Sequence, residues 1–593
     1  MMKLIHLFYI VCFIGLHEIG YAQTFDYQRG WATYFGDEGI DLADSAMDTE
    51  GNMYLVGRVR SGSVFNATAN AYQTAYGGGV ADGFLTKISP VGEILWSTFI
   101  GGESVDYITG ITIDGYNVIY IIGSTGSANS MATSNAWQTT LEGSTDTFIN
   151  KFDASGAKIW GTYYPSADSD PESMGGTIRN SGPSIVADKQ AGGIYFFNRT
   201  NNANLATSGA FQATIGQDYN NVITKFSVDG LPIWATYYGI NFSQMYSITL
   251  GSDGLYVAGD TSDCLPIHPE NTYFATMNAH QPVPGSCRDI FITKFSFAGQ
   301  RLWSTYYGNT NNAYTNKNGL LVSGNALYVT GTTISSPNIT TIDSYQEDSG
   351  SNYTAFLVKF NTEGIRLWGT YYGLDYDIYG NSLVSSSSSL AGDSQGNIYL
   401  TAATKFQDNI ASTGAYQENK SGGTDLFVAQ FNPDGDVNWG TYYGSSENEY
   451  ASKSLVYNDV FYLLGETASA TGITTPNSLQ PGFIDNGNSS DGLIKNIFIV
   501  RFEPLPLSVE SFAASSFEVY PNPNQGSFNI KNPNNEPYTV QIYNMLGQLV
   551  LETCKKQNSV ERIDTLNLSS GSYLLNITTA SNATYTQKML ITN

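Results

Sequence analysis

The heptapeptide LWSTYYG, residues 302–308, is one of seven closely similar phrases in this chain of 593 residues. Its tryptophans follow one another at intervals of 64 to 74 residues, and they account for seven of the eight tryptophans present. A recurring interval of this length indicates a repeat architecture, in which one structural unit is written several times. The seven tryptophans are Trp31, Trp96, Trp160, Trp234, Trp303, Trp368 and Trp439.

Two further strand patterns recur in the same order between the tryptophans. One is a short apolar run with a tyrosine in a fixed place, such as LYVTG at 327–331, and the other is a run such as FLVKF at 356–360. Turns that contain Gly and Asn, residues that tolerate positive φ, separate these runs. The repeated tyrosines are Tyr54, Tyr120, Tyr195, Tyr256, Tyr328, Tyr399 and Tyr462.

With a short run such as ITID at 111–114, each unit predicts four antiparallel strands that form one sheet. Large aromatic residues fall on both faces of the tryptophan strand, as in a sheet that is covered on both sides. Seven such sheets bury one another when they pack radially. We therefore expect an all-β fold, with a seven-bladed β-propeller of four-stranded blades over residues 23–502.

The ends of the repeat region predict how the ring closes. The first unit begins at the tryptophan strand, and the last unit ends at FIVRF (498–502) with no tryptophan strand after it. The strand at 31–36 can therefore pair with 497–502, which would complete the last blade and remove its free edge.

The long connections of each unit predict where a ligand would bind. In this strand order the second-to-third and fourth-to-next connections, such as 58–82 and 260–289, leave the same face of the ring. Each second-to-third connection carries an aromatic-Gln element, for example Tyr72-Gln73 and Trp137-Gln138. These elements are either a ring of ligand contacts or plugs between blades, and their presence in every unit favours plugs.

The repeated elements resemble a known family. The Trp-x-Thr-Tyr-Tyr-Gly phrase, the tyrosine strand, the AYQ element and the Phe-x-x-Lys-Phe strand are similar to the seven-bladed β-propeller repeat family of exported bacterial proteins. The resemblance covers about residues 27–502, and the third unit departs from it because Pro165 replaces the glycine of the phrase.

The composition changes after a linker at 503–514. Residues 515–593 contain short alternating strands with Pro, Asn and Gly turns, which predict a small Ig-like β-sandwich. Its motifs resemble the C-terminal sorting domain of type IX secretion, which implies the type IX machinery as partner and release or attachment at the outer cell surface of a Gram-negative bacterium. The alternative is an ordinary accessory sandwich. The motif residues are Tyr520, Pro521, Asn522, Pro523, Gly526, Gly547, Gly571, Tyr573 and Lys588.

Residues 1–22 read as a signal peptide, with Lys3, an apolar stretch and small residues before the cleavage site. The alternative is a membrane anchor, although the apolar run is short for a span. We expect no span in the mature chain. In an oxidising compartment Cys264 and Cys287 of one loop are expected to form a disulfide, which leaves Cys554 without a partner.

The charge balance excludes some partners. The net charge of −25 argues against nucleic acid and against an anionic membrane surface. No catalytic triad, zinc motif or phosphate loop is present, so no catalytic residue, cofactor or protein-bound metal is assigned. Calcium stays open because acids follow the tryptophan strands: Asp37, Glu38, Asp41, Glu103, Asp106, Asp168, Asp170, Glu172, Asp375, Asp377, Glu447 and Glu449.

These observations favour a non-catalytic binding or adhesion module for glycan or protein ligands. Two alternatives remain: a secreted carbohydrate-active hydrolase or lyase that uses carboxylates of the loop face, and a structural spacer at the cell surface.

Overall fold

The structure is a computed structural model. It describes residues 25–167, 182–189, 192–216, 219–240, 243–261, 272–286, 288–308, 312–334, 338–349, 353–373, 388–407, 410–487, 495–505, 517–532, 537–544, 547–555, 560–565, 567–580 and 584–592. The chain forms two compact units, residues 1–504 and 505–593. The predicted signal peptide and the predicted Cys264–Cys287 disulfide lie outside the described residues.

Within its described residues the first unit contains seven four-stranded antiparallel sheets, which we call blades 1 to 7. The strands run in chain order from the inside to the outside of each blade. Blade 1 has β2 (Ile40–Met47), β3 (Met53–Arg60), β4 (Ala81–Ile88) and β5 (Ile94–Ile100); blade 2 has β6 (Asp106–Ile113), β7 (Ile119–Thr125), β8 (Asp146–Phe152) and β9 (Lys158–Tyr164); blade 3 has β10 (Ser184–Ala187), β11 (Ile194–Thr200), β12 (Asn220–Phe226) and β13 (Pro232–Tyr238); blade 4 has β14 (Gln244–Gly251), β15 (Gly254–Asp260), β16 (Ile290–Phe295) and β17 (Arg301–Tyr307).

The remaining three blades follow the same order, except that the last one is built from both ends of the unit. Blade 5 has β18 (Ala313–Ser323), β19 (Ala326–Ile334), β20 (Tyr353–Asn361) and β21 (Arg366–Tyr372); blade 6 has β22 (Ser389–Gly392), β23 (Ile398–Thr404), β24 (Asp425–Phe431) and β25 (Val437–Tyr443); blade 7 has β26 (Glu449–Tyr457), β27 (Val460–Thr467), β28 (Asn496–Pro504) and, as its outermost strand, β1 (Tyr27–Phe35).

The blades close into a ring. The innermost strands contact one another in the cycle β2, β6, β10, β14, β18, β22, β26 and back to β2. In blade 7, β1 pairs antiparallel with β28, with Trp31 opposite Arg501 and Phe35 opposite Ile497. The predicted all-β propeller fold is confirmed, and the observed register is the predicted pairing of 31–36 with 497–502.

Burial explains why the inner and outer strands differ in sequence. Every residue of β4 is buried, as its run ADGFLTKI requires for a strand covered on both faces. The outermost strands begin partly exposed and end buried; in β17 the first three residues are half-buried or exposed and the last four are buried. The second half of the phrase WSTYYG, which contains both tyrosines, is therefore buried within the propeller.

Within the described residues, five of the seven innermost strands carry a bulge or irregularity: β2, β6, β14, β18 and β26. In β2 the register shifts between Leu42 and Asp44, and β26 shifts in the same place, between Ala451 and Lys453. The irregular stretch in β18 is longer and extends from Thr315 to Leu320. A bulge re-aims the side chains beside it, and these three strands contribute Asp44, Lys317 and Lys453, which meet in the central channel.

In the part of the second unit that the structure describes, two antiparallel sheets surround one core, which includes Phe528, Val540, Leu575 and Met589. One sheet has β29 (Glu518–Tyr520), β30 (Ser527–Lys531) and β33 (Val560–Asp564), and the other has β32 (Leu549–Lys555), β31 (Tyr538–Asn544), β34 (Gly571–Thr579) and β35 (Thr584–Ile591). The Ig-like arrangement stays a prediction. Across the described residues of both units, no helix has the length and apolar character to cross a membrane.

Candidate functional site

The repeated tryptophans fasten each blade to the next one. The indole Nε1 of Trp303 in blade 4 donates a hydrogen bond to the Thr362 carbonyl in the β20–β21 turn of blade 5, at 2.8 Å. Its ring lies against Gly364 of that turn, where an added Cβ would come within 2.8 Å of the indole. The same donor–carbonyl pairs are Trp31–Pro90, Trp96–Ala154, Trp160–Val228, Trp234–Phe297 and Trp368–Pro433.

Trp439 of blade 6 is covered in a different way, because blade 7 has no turn between β28 and β1. Phe25 contacts its ring edge-on at a centroid distance of 4.9 Å, and Tyr27 contacts it at 5.6 Å. The segment that leads into β1 thus supplies two rings at the junction where the other blades supply a glycine turn.

The repeated tyrosines lie on the second strands and are buried against a residue of the third strand, which is basic in every blade except blade 6. The Lys294 ammonium lies 5.3 Å from the centre of the Tyr256 ring, a cation–π distance. Tyr54, Tyr120, Tyr195 and Tyr328 have a lysine in the same relation. In blade 6 the Gln430 amide donates to the Tyr399 hydroxyl, and in blade 7 the Arg501 guanidinium donates to Tyr462.

From sequence we expected the long second-to-third connections to stay on one face of the ring. In the structure, the middle of each connection instead runs along the outermost strand of its own blade. In blade 1 the Thr68 amide donates to the Ser97 carbonyl, and the Phe99 amide donates to the Gln73 carbonyl. The equivalent bonds recur in all seven blades. These connections therefore cover the edge strands, which would otherwise be open to pairing with other chains.

The aromatic-Gln elements have a packing role. The Gln281 side chain accepts a hydrogen bond from the Gly308 amide and donates to the Val283 carbonyl, so it fixes its own connection to the end of the tryptophan strand. The aromatic ring fills the gap to the next blade, as Tyr72 does against Phe152. Four of these rings are nevertheless 37–51% exposed: Tyr72, Trp137, Tyr345 and Tyr416.

A second set of acids stands two residues before the phenylalanine of the third strand. The Asp82 carboxylate accepts a hydrogen bond from the Gly77 amide at 2.5 Å, and Asp146 accepts from Glu142 at 2.8 Å. Asp82 is fully buried and Asp146 is 1% exposed. Burial raises the pKa of both carboxyls to about 7. Asp289 and Asp425 hold their connections in the same manner.

Several acids proposed from sequence as calcium ligands are also bound to the protein itself. Asp106 accepts bonds from Thr125, Gly102 and Ser127 at 2.5–2.8 Å, and burial raises its pKa to about 6. Glu449 accepts from Thr467 and Ser445, and burial raises its pKa to about 7. The remaining described acids are Asp37, held by Ser63 and Val64; Glu38, held by the Asn486 amide; Asp41, paired with Arg58; Glu103, bonded to Ala128; and Glu447, which is exposed.

Asp168, Asp170, Glu172, Asp375 and Asp377 lie outside the described residues. Among the residues that the structure does describe, no three His, Cys, Asp or Glu side chains are grouped closely enough to hold a metal ion. Calcium binding stays a prediction. A comparison of melting temperature with and without chelator tests it.

The central channel contains a cavity of about 680 Å³. The inner end of the cavity lies at the bulges of β2, β18 and β26. From there the cavity extends along the innermost strands toward the tight turns that join the first and second strands of each blade. The walls are mixed, because charged residues such as Asp188, Lys189 and Lys225 line the cavity as well as aliphatic ones. The aliphatic residues include Ile111, Ile113, Ile185, Ile248, Leu250, Leu320, Leu321, Leu390 and Leu455.

A cluster of two lysines and one aspartate lies at the inner end of this cavity. The Lys453 ammonium donates to Asp44 at 2.6 Å and to the Ser45 carbonyl at 2.8 Å. The Lys317 ammonium reaches across the channel from blade 5, with its Nζ 3.4 Å from both Asp44 Oδ2 and the Ala43 carbonyl. The side chains of Lys317 and Asp44 are only 5% and 6% exposed. Burial lowers the pKa of Lys317. Burial opposes ionisation of Asp44 as well, but the two lysines hold its pKa below the usual value.

The sequence reasoning missed this cluster and the acids of the third strands. The acids could have been found, because Asp or Asn stands two residues before the repeated Phe (Val in the third unit) of the third strand in six of the seven units. The cluster has a weaker signal, namely a charged residue at the centre of an innermost strand, as in YTNKNGLLVS and EYASKSLVY. Nothing in the sequence period indicates that these strands meet across the channel.

The proposed sorting residues come together in the second unit. Asn522 of the Tyr520–Pro523 segment donates to the Lys588 carbonyl and accepts from the Leu590 amide, so the segment lies beside β35. Gly526 and Gly547 have positive φ, and Tyr573 donates to the Ser569 carbonyl at the start of β34, which begins at Gly571. Cys554 is exposed and its thiol is free.

Residues 518–592 match the family model described as secretion system C-terminal sorting domain. One curated relative, ulvan lyase NLR42 of Nonlabens ulvanivorans, is 36% identical over 91 residues, which are 15% of this chain and 17% of the relative. The chain thus aligns with about one sixth of that protein's length.

Solved structures with a related outline include a polysaccharide lyase of family PL25, an ulvan lyase, with 13% identity and a TM-score of 0.38 over 74% of this chain and 93% of that one. Trypanosoma rangeli sialidase has 8% identity and a TM-score of 0.32 over 95% and 88% of the two chains. Likeness at this level carries no argument about activity. The sorting domain determines where the protein goes: the protein is exported by the type IX system to the cell surface or the extracellular space of a Gram-negative bacterium.

Proposed function

We propose that this protein is an exported, non-catalytic binding module whose ligand is a glycan or a protein. The observation that carries the proposal is a contrast in accessibility. The carboxylates Asp82, Asp106 and Asp146 are at most 1% exposed and each accepts hydrogen bonds from the protein itself, whereas the rings between blades, such as Tyr345 and Tyr416, are 51% and 37% exposed.

This contrast favours binding over hydrolysis. A general acid must come within hydrogen-bond reach of the atom it protonates, and a polymer on the surface does not reach a buried carboxyl. A partly exposed aromatic ring offers a flat apolar face with little conformational entropy to lose. Several such rings at successive blade junctions would allow weak contacts to add along an extended ligand.

A second candidate is an enzyme that cleaves polysaccharides. It is favoured by the 91 residues that are 36% identical to an ulvan lyase, although the alignment includes only 17% of that relative. Its catalytic groups would have to lie outside the carboxylates described above.

Binding to a glycan array, together with a depolymerisation screen, tests the two candidates on the purified full chain. We expect saturable binding without turnover. Tyr345→Ala and Tyr416→Ala should each weaken binding about tenfold, as expected for an aromatic contact residue. Tyr116→Ala is the matched control, because Tyr116 is 78% exposed but lies in the β6–β7 turn. Turnover of a polysaccharide would overturn the proposal in favour of the enzyme.

A further inference from the structure

The cavity of the central channel has two chemically different regions. Its inner end carries the ammonium groups of Lys317 and Lys453 and the carboxylate of Asp44. Its walls toward the tight turns carry isoleucine and leucine side chains, and charged residues such as Lys189 and Lys225 line it as well. At about 680 Å³ the cavity is in the size range of small-molecule sites, about 300–1,000 Å³.

The charges at the inner end do not balance. Two ammonium groups face one carboxylate, and the shorter contacts of Asp44 are all used by Lys453 and by the Ser45 amide, at 2.6 and 2.8 Å. Among the described residues, the Lys317 ammonium contacts Asp44 and Ala43 at 3.4 Å, which is long for a charge-assisted hydrogen bond. It shares the Asp44 carboxylate with Lys453. Burying two ammonium groups against one carboxylate is costly, so this position favours one further negative charge.

We propose that the channel cavity binds an aliphatic carboxylate, with its carboxylate at Lys317 and Lys453 and its hydrocarbon body along the isoleucine and leucine side chains of the wall. The single negative charge of such a ligand matches the excess of one ammonium group at the inner end. The isoleucine and leucine side chains match its hydrocarbon body. This site is separate from the exposed rings between the blades, so it stands or falls independently of glycan binding.

Isothermal titration of the full chain with three small probes tests the ligand chemistry. Octanoate should bind saturably, whereas octan-1-ol, which has the body without the charge, and acetate, which has the charge without the body, should bind at least about tenfold more weakly. Equal affinity for octanoate and octan-1-ol, or no heat with octanoate, would overturn the proposal.

Variants test the assigned residues. Lys317→Met should weaken octanoate binding about tenfold or more, as for the loss of a charged hydrogen bond. The matched control is Lys87→Met, which breaks another buried ion pair, Lys87–Asp48 at 3.1 Å, outside the cavity. A purely structural role for Lys317 predicts a lower melting temperature with unchanged octanoate affinity, and that result would also overturn the proposal.

Discussion

At the scale of single residues, the buried acids of the third strands combine two opposing effects. Asp82 organises its connection by accepting the Gly77 amide, but its other oxygen is buried and has no hydrogen-bond partner among the described residues. Ionisation of such a group opposes folding, because the charged form is better solvated in the unfolded chain. In blade 7 the equivalent Asn496 makes bonds to both the amide and the carbonyl of Ile484.

The pH dependence of stability follows from these acids. Burial raises the pKa of Asp82, Asp146 and Glu449 to about 7, whereas unfolded carboxyls titrate near 4. The folded state therefore binds protons more readily, and the melting temperature should rise as the pH falls from 8 toward 5. The gain begins near pH 7 and is complete below the unfolded pKa.

Asp82→Asn should raise the melting temperature at pH 8 and reduce the slope of melting temperature with pH. The reason is that the amide does not ionise, so one buried charge that opposes folding is removed. Asp229→Asn is the control, because it changes the same charge at an exposed turn. A melting temperature that falls steadily between pH 8 and pH 5 in the native protein would contradict this account.

Gly364 gives a residue-level test of the tryptophan fastener. Gly364 and Gly414 have nearly the same φ, +82° and +81°, but an added Cβ meets the Trp303 indole at Gly364 and nothing within 4 Å at Gly414. Gly414→Ala should cost about 1–2 kcal/mol from the left-handed backbone alone. Gly364→Ala should cost about 1–3 kcal/mol more because of overlap with the ring.

Chemical denaturation of both variants measures the difference. Equal losses of unfolding free energy would mean that the indole moves aside freely, and that its contact with the next blade contributes little.

At the scale of strands, repetition in the sequence determined what could be predicted. The pairing of β1 with β28 was predictable because the last unit lacks its tryptophan strand while the first begins with one. The course of the long connections was not, since their length and polarity are typical of surface loops and their hydrogen bonds to the outer strand depend on a few Thr, Ser and Gln positions. The Lys317–Asp44 contact was not predictable either, because it joins non-adjacent blades and depends on a bulge in β18.

Removal of residues 23–40 should lower the melting temperature sharply. The deletion exposes the outer edge of β28 and the partners of Ala32 and Tyr34, which are 0% and 1% exposed, and it uncovers Trp439. Thermal unfolding followed by circular dichroism measures the effect. An unchanged melting temperature would contradict the role of β1 in closing the ring.

At the scale of the whole molecule, the two units have separate tasks. The second unit carries the export signal, and the channel cluster and the exposed rings belong to the first. The sequence motifs of the second unit sufficed to predict its role, since the segment 520–523, Gly526, Gly547 and Tyr573 all shape one small fold. The ligand of the first unit could not be predicted, because its repeated residues serve packing and its distinctive ones are scattered over several blades.

Deletion of residues 515–593 should prevent export. Cell fractionation and immunodetection should then find the propeller inside the cell envelope rather than at the surface or in the medium. Export at the normal level would show that these residues act only as an accessory domain.

The closure of blade 7 also constrains the order of folding. Tyr27 pairs with Pro504, so β1 is synthesised before the rest of the propeller but cannot pair until β28 has been synthesised. Pairings between such distant segments form late and slowly. Until then β28 has an open edge and Trp439 is uncovered, which leaves an incomplete chain prone to join a neighbour's strand. An unfinished ring is therefore the state in which this protein is most vulnerable to misassembly.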